Sequence, residues 1–255
     1  MADAPSSEPR PPWAALWLAG AAVAALAVAW PWALDGALHR LGPRGLALLL
    51  LGLGAGSLAL RPARGAGRGL AAAGVLVLLA LAAASGEARF LRLVPAWIYA
   101  ALAGLFAASL RGPGSILQSA ARWLVPEAPE FIRGYCRAAT AAWVAVFLAS
   151  AAAVAWLALA PSPEAWRRFT SRDLWLAMGG FAAAEFLVRK TWFRNYFHGG
   201  PFERFWARLF PAERTERGRR SLAYIAAYRA ERARRAAAEG AAAQLLSSPP
   251  GSGRT

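Results

Sequence analysis

Residues 138 to 160 carry no charge over 23 positions, and this stretch limits what the chain can fold into more than any other feature. Wound as a helix at about 1.5 Å per residue, it is longer than the roughly 30 Å hydrocarbon core of a bilayer. It is apolar on every face, so it lacks the polar stripe that a surface helix of a water-soluble fold keeps toward solvent. Four more uncharged runs occur, Trp13 to Leu34, Gly45 to Leu60, Gly69 to Ala84 and Leu93 to Leu110, and Leu174 to Val188 is a fifth apolar run. Charges gather in clusters between these runs, which is the membrane pattern. The expected fold is an all-α polytopic transmembrane helix bundle over residues 13–190. It has about six spans, near 13–34, 43–60, 69–86, 93–110, 138–160 and 172–189. The second and third runs need flanking residues to complete a crossing, and the sixth is short and contains Glu185.

The flanks suggest how the chain is threaded. Trp13 and Trp17 stand at one end of the first run and Trp30 and Trp32 at the other, as in an interfacial aromatic belt. A cleaved signal peptide is the competing reading of this segment. A single Arg10 ahead of it and the length of the run disfavour that. In a six-span threading the N-terminus, the 61–68 and 111–137 loops and the C-terminal tail share one side, with one, three, four and fourteen basic residues. The 35–44, 85–92 and 161–173 loops on the other side hold two, two and three. By the positive-inside rule both termini are expected in the cytoplasm of a multi-pass inner-membrane protein. Much of the net charge of +15 then belongs to headgroup contact and topology.

The connections carry further expectations. Residues 1–12 and 241–255 read as disordered tails rich in Pro, Ser and Gly. Ile116, Leu117, Ala120, Ala121 and Leu124 recur at helical spacing with Trp123, which predicts a short helix at the interface. Residues 191–210 mix aromatic and basic side chains and are expected to lie along the membrane surface. Residues 211–240 read as an Arg- and Ala-rich cytoplasmic helix. Gly52 and Gly56 form a GxxxG pair, a spacing that lets helix backbones approach closely.

Two groups of residues are candidates for function. Glu185 and Arg189 are four apart near the end of the last span, so they share a helix face and can form an ion pair. Glu185 is either a local interfacial partner of Arg189 or an intramembrane acid with a functional duty. Arg137 and Thr140, with Tyr135 before them and Trp143 after, stand at the mouth of the fifth span. They are either an ordinary helix-end set or a grip for a lipid or thioester headgroup.

No catalytic constellation stands out. His39 and His198 are the only histidines and neither lies in a predicted span, which argues against bis-histidine haem. The single Cys136 rules out a disulfide framework and a Cys-based zinc site. The sequence holds no P-loop, GxSxG or HExxH. No catalytic residue, cofactor or metal is predicted. Membrane lipids are the expected partners, and no nucleic acid, since juxtamembrane Arg clusters face headgroups more often than DNA.

From about residue 90 to 211 the order of features resembles a family of small bacterial inner-membrane proteins encoded in aryl-polyene and xanthomonadin-type pigment clusters. The first element is Phe106, Ser109 and Leu110 leading to a turn at Gly112 and Pro113. The second is Tyr135, Arg137, Thr140 and Trp143 entering a span, and the third is Glu185, Phe186 and Arg189 leaving one. The resemblance raises the weight on Glu185, Arg189, Arg137 and Thr140, but it carries no reaction. It implies an accessory protein, more in keeping with a non-catalytic role, in assembly or export of a polyene-type lipid. Acyl carrier proteins or soluble synthases of such a pathway become possible acidic partners for the basic cytoplasmic face. A small enzyme using Glu185 on lipid-linked intermediates is the first alternative, and a small transporter the second.

Overall fold

The computed structural model describes residues 13–60, 66–124, 130–192 and 201–247. Among these residues every regular element is helical and there is no strand. The tail expected at 1–12 lies outside the described residues, and so does 248–255 of the tail expected at 241–255, whereas 241–247 continue α9 as helix. The chain divides into two compact units, residues 1–126 with 133–181, and residues 127–132 with 182–255.

In the first unit, α1 (Trp13–Leu60) is two helical arms joined at Gly42, whose φ of 69° and ψ of 168° leave the helical region. The next residue, Pro43, lacks an N–H and disfavours helical geometry in the residue before it. Glycine alone adopts such a conformation without strain. Residues 35–44, expected as a loop, are therefore helical on both sides of a one-residue bend. The next connection is equally short. Helix α2 (Ala66–Ser85) ends at Gly86, whose φ is 74°, and its N–H bonds the Ala82 carbonyl at 2.9 Å. This is the left-handed residue that closes many helices, and α3 (Ala88–Arg111) starts two residues later. What read as an 85–92 loop is thus mostly the first turn of α3.

Helix α4 (Ile116–Leu124) follows a bend at Gly112 to Ser115. Ile116, Leu117 and Ala121 of the expected apolar set are half-buried, but the set is not the whole of its inward face. Gln118 is buried while Ala120 is exposed, because the helix leans on α5 rather than lying free on a surface. After a short 3-10 turn, α5 runs from Arg133 to Leu159. The 161–173 segment, expected as a loop, is also helical: α6 (Pro163–Arg168) passes through one π-helical turn (Phe169–Asp173) into α7 (Leu174–Trp192). Ser162 caps α6 by accepting the Ala165 N–H at 3.4 Å, and Pro163 occupies the first helical position, where a missing N–H leaves no intrahelical bond unmade.

The helices pack in chain order, α1 on α2, α2 on α3 and α3 on α5. The interior mixes small and large side chains: Ala47, Ala82, Ala96, Ala103, Ala139 and Ala158 are buried together with Leu34, Leu46, Leu79, Leu91 and Trp166. Large apolar side chains point outward, including Leu53, Leu148, Leu159 and Leu176, and Trp156 is 77% exposed. Buried alanines of this kind let helix backbones approach closely. Helices α3 and α5 are long and apolar enough to cross a membrane, with mean hydropathies of 1.8 and 2.1 over their most apolar stretches. Only 17% and 28% of those stretches are buried, whereas a core helix of a soluble protein would be mostly covered.

In the second unit, α8 (Pro201–Leu209) is followed by a 3-10 turn (Ala212–Arg214) and α9 (Glu216–Ser247). Gly218 lies so close to the Ala212 carbonyl that a Cβ would collide with it. The Gly218 N–H also bonds the Thr215 hydroxyl at 3.0 Å. The joint between turn and helix is therefore tightly packed.

One contact in the first unit tests the packing directly. The Trp97 indole lies where a Cβ on Gly74 would sit, and its N–H donates to the Ala71 carbonyl at 2.9 Å. Gly52 has nothing within 4 Å of such an atom. Replacing a helical glycine by alanine favours the helix by up to about 1 kcal/mol, while overpacking costs about 1–3 kcal/mol. Gly52→Ala should therefore raise the thermal midpoint of the detergent-purified protein, and Gly74→Ala should lower it. A rise for both would mean that α2 and α3 do not meet through Trp97.

Candidate functional site

The α5 candidates gather where the start of that helix meets the end of α3. The last four carbonyls of any helix lack intrahelical donors, and they carry the negative end of its dipole. Arg137 supplies one donor: its Nη2 bonds the Leu110 carbonyl at 2.6 Å. Ser109 closes the same corner from the other side. Its hydroxyl donates to the Phe106 carbonyl at 2.7 Å and accepts the Ile116 N–H at 3.1 Å. Ser115 then caps α4 by accepting the Gln118 N–H at 3.4 Å. The Gly112–Pro113 turn is thus held by three side chains, two of them hydroxyls.

Thr140 is fully buried, and its hydroxyl donates to the Cys136 carbonyl one turn earlier at 2.7 Å. This is the ordinary means by which a helical threonine satisfies itself in an apolar setting. Trp143 stands one turn further on and leads an aromatic row. Its ring meets Phe147 at 5.4 Å and Phe181 edge-on at 4.8 Å. Phe147 in turn meets Phe106 edge-on at 5.1 Å. Rings at these separations add to the area that they bury, so Trp143 links α5 to α7 and Phe147 links α5 to α3. Tyr135 is half-buried on the first turn of α5.

Glu185 and Arg189 belong to the other unit. They pair across one helical turn at 3.5 Å, with the Glu185 side chain 17% exposed and that of Arg189 48% exposed. Arg189 also lies over the Phe186 ring at 5.7 Å. The six residues singled out from the sequence therefore fall into two sets: a helix-corner set on α5 and an ion pair on α7.

A third polar cluster is invisible in the sequence because its members are 132 residues apart. Arg167 of α6 donates to Asp35 of α1 at 2.9 Å and to Glu164 one turn away. Its guanidinium stacks over Trp32 at 4.5 Å, a favourable cation–π geometry. The hydrogen bond from Arg167, reinforced by its charge, holds the Glu164 carboxyl below its ordinary value. The same bond raises the Arg167 guanidinium against the desolvation that opposes it. The cluster ties the bend of α1 to α6 and the π-helical turn.

Between α1, α2 and α3 lies an open cleft of about 480 Å³, lined by Trp30, Leu50, Ser57, Val75, Leu79 and Leu91 among others. The Ser57 hydroxyl already donates to the Gly54 carbonyl at 2.8 Å, so the lining offers mainly hydrocarbon. Among the described residues no group of three or more His, Cys, Asp or Glu side chains is placed to hold a metal ion. Comparison with protein-family models, with curated proteins and with solved structures finds no match to this chain.

Two outcomes follow from this geometry. Arg137→Gln should destabilise the protein by about 1.5–3 kcal/mol, the usual range for a hydrogen bond from a charged group. Thr140→Val should change stability by less than about 1.5 kcal/mol, since it removes one local bond at nearly constant shape. Thermal unfolding in detergent measures both, and equal effects would contradict the corner role of Arg137. The pH dependence of the Arg167 cluster has a definite sign. A carboxyl whose pKa is depressed in the folded state stabilises above its unfolded pKa, and that contribution is lost as pH falls through the folded value. The difference in thermal midpoint between wild type and Arg167→Gln should therefore shrink on acidification from about pH 7 to below the ordinary carboxylate range.

Proposed function

We propose that the chain is a multi-pass protein of the bacterial inner membrane, with about six spans and both termini in the cytoplasm. On this reading it serves as a non-catalytic accessory in the assembly or export of a polyene-type lipid. Its basic cytoplasmic face recruits acidic soluble partners, of which acyl carrier proteins are the fitting class.

The outward-facing large apolar side chains support the membrane part, because such a surface in water would be a liability to aggregation. The threading is supported by which segments meet. Six spans put residues 35–44, 85–92 and 161–173 on one side. Asp35 pairs with Arg167, and Arg44 packs against Gly86. The same threading puts residues 61–68 and 111–137 on the opposite side, and the bond from Arg137 to the Leu110 carbonyl is in keeping with α3 ending where α5 begins.

The observation that carries the recruiting role is the exposure of basic groups at the helix ends on that side. Arg133 is exposed at the start of α5, and Arg189 at the end of α7. Positive fields of this kind speed encounter with acidic partners and weaken with salt. The enzyme alternative draws less support. The Thr140 hydroxyl is engaged by its own helix, Arg137 by α3, and Glu185 by Arg189.

Deleting the gene in its host and analysing membrane lipids by absorbance and mass should remove a coloured polyene lipid or leave a precursor. An unchanged lipid profile under expressing conditions would remove the pathway assignment. Neutralising Arg133, Arg189 and Lys190 together should abolish salt-sensitive co-purification of acyl carrier protein while protein level stays normal. Co-purification unaffected by those changes, or absent from wild type at low salt, would remove the docking role. Loss of lipid product in Glu185→Gln at normal protein level would favour the enzyme instead.

A further inference from the structure

Helix α8 presents a surface that its own unit leaves uncovered. Phe205 and Leu209, four residues apart, share one face and are 57% and 54% exposed. Phe210, just past the helix end, is exposed too, and its ring meets Trp206 at 5.2 Å. Arg204 and Arg208, also four apart, form an exposed row beside the apolar one. The row is held in place. The Phe210 N–H bonds the Trp206 carbonyl at 3.0 Å, the Arg214 N–H bonds the Pro211 carbonyl at 3.2 Å, and the packed joint at Ala212 and Gly218 follows at once.

A nine-residue helix with an exposed aromatic and aliphatic row beside an Arg row is too short and too charged to cross a bilayer. It has the composition of a helix that lies in the headgroup layer. Long Arg side chains reach from such a helix to phosphate oxygens while their methylene stems cover apolar surface. An acidic protein would match the two arginines but not the adjoining apolar row, whereas an anionic leaflet matches both.

We infer that α8 is a foot on the membrane surface that binds anionic phospholipid: Phe205, Leu209 and Phe210 enter the acyl boundary, and Arg204 and Arg208 pair with the phosphates. The inference rests on the membrane reading proposed above and extends it, since it names a lipid class and the residues that select it.

The test uses the full-length chain in a Cys136→Ala background, reconstituted in nanodiscs of phosphatidylcholine with or without phosphatidylglycerol. Nitroxide labels are placed singly at Leu209→Cys, at Trp156→Cys on the outer face of α5, and at the exposed Ala226→Cys on α9. Collision with oxygen and with a water-soluble nickel complex reports the depth of each. With phosphatidylglycerol, the Leu209 label should be shielded from nickel relative to the Ala226 label. Combining Arg204→Gln and Arg208→Gln, or raising salt, should lower the docked-to-free ratio by roughly tenfold or more. Equal nickel access at Leu209 and Ala226 in both lipid mixtures overturns the foot. Shielding that appears only when acyl carrier protein is added, and not with phosphatidylglycerol, overturns the lipid assignment in favour of a protein partner. Nickel access at Trp156 overturns the membrane reading and the foot with it. A Trp156 label deep in hydrocarbon beside a Leu209 label in water overturns the foot alone.

Discussion

Helices α3 and α5 meet along a seam in which Ala96, Ala103 and Ala139 let the backbones come close, and the rest of the first unit is arranged around that approach. Close packing of small side chains relies on dispersion between well-fitted surfaces, a source of cohesion that does not need water. Apart from core residues such as Leu46, Leu79 and Leu91, bulky side chains gather in two places. Some are turned outward, like Trp156 and Leu148. Others collect at one end of the seam, where Phe106, Trp143, Phe147 and Phe181 interlock. Below that aromatic plug lies the corner held by Arg137, Ser109 and Ser115. If the seam opened, Arg137 would lose the Leu110 carbonyl and the corner would lose its fixed turn.

Several polar groups of the first unit close backbone gaps at helix ends and bends. Arg137 covers the end of α3 and Ser109 the entrance to α4. Ser85 serves the end of α2, donating to the Leu81 carbonyl at 2.7 Å. Thr170, also buried, donates to the Trp166 carbonyl at 2.8 Å just before the π-helical turn. In a medium without water each uncovered carbonyl is expensive, so such side chains are drawn to the breaks in the ladder. The Arg167 cluster does the same at larger scale, holding the bent α1 to the segment that carries the π-helical turn.

This explains what could be read from the chain and what could not. The all-helical character was legible, because uncharged runs such as 138–160 admit no other regular structure in an apolar medium. Helix ends were less legible. Charge marks where an apolar run ends, not where its helix stops, so α3 begins before Leu93 and α5 before Ala138. The helical course of 35–41 was hidden for the same reason. Asp35, His39 and Arg40 read as a loop, yet nothing in them breaks a helix until Gly42 and Pro43. The Asp35–Arg167 pair needed three-dimensional closure between distant segments, which no local pattern encodes. Of the candidate site, the i,i+4 spacing of Glu185 and Arg189 was readable as a pair. The engagement of Arg137 was not, because its acceptor is a main-chain carbonyl with no residue signature.

What remains after these assignments bears on function. A side chain already bonded to its own scaffold is poorly placed to act as nucleophile or base, and four of the buried polar residues are so bonded: Thr140, Ser150, Thr170 and Ser221 each donate to a carbonyl four residues back. The exposed cations differ. Arg133, Arg204, Arg208 and Arg232 stand on element ends or on α8 and α9, where solvent, headgroups or an acidic partner can reach them. Chemistry inside a membrane calls for polar groups held apart from the scaffold and aimed at a common point. Recruitment calls only for charge at an accessible edge. The described residues offer accessible charge of the second kind, and the docking role proposed above draws on it.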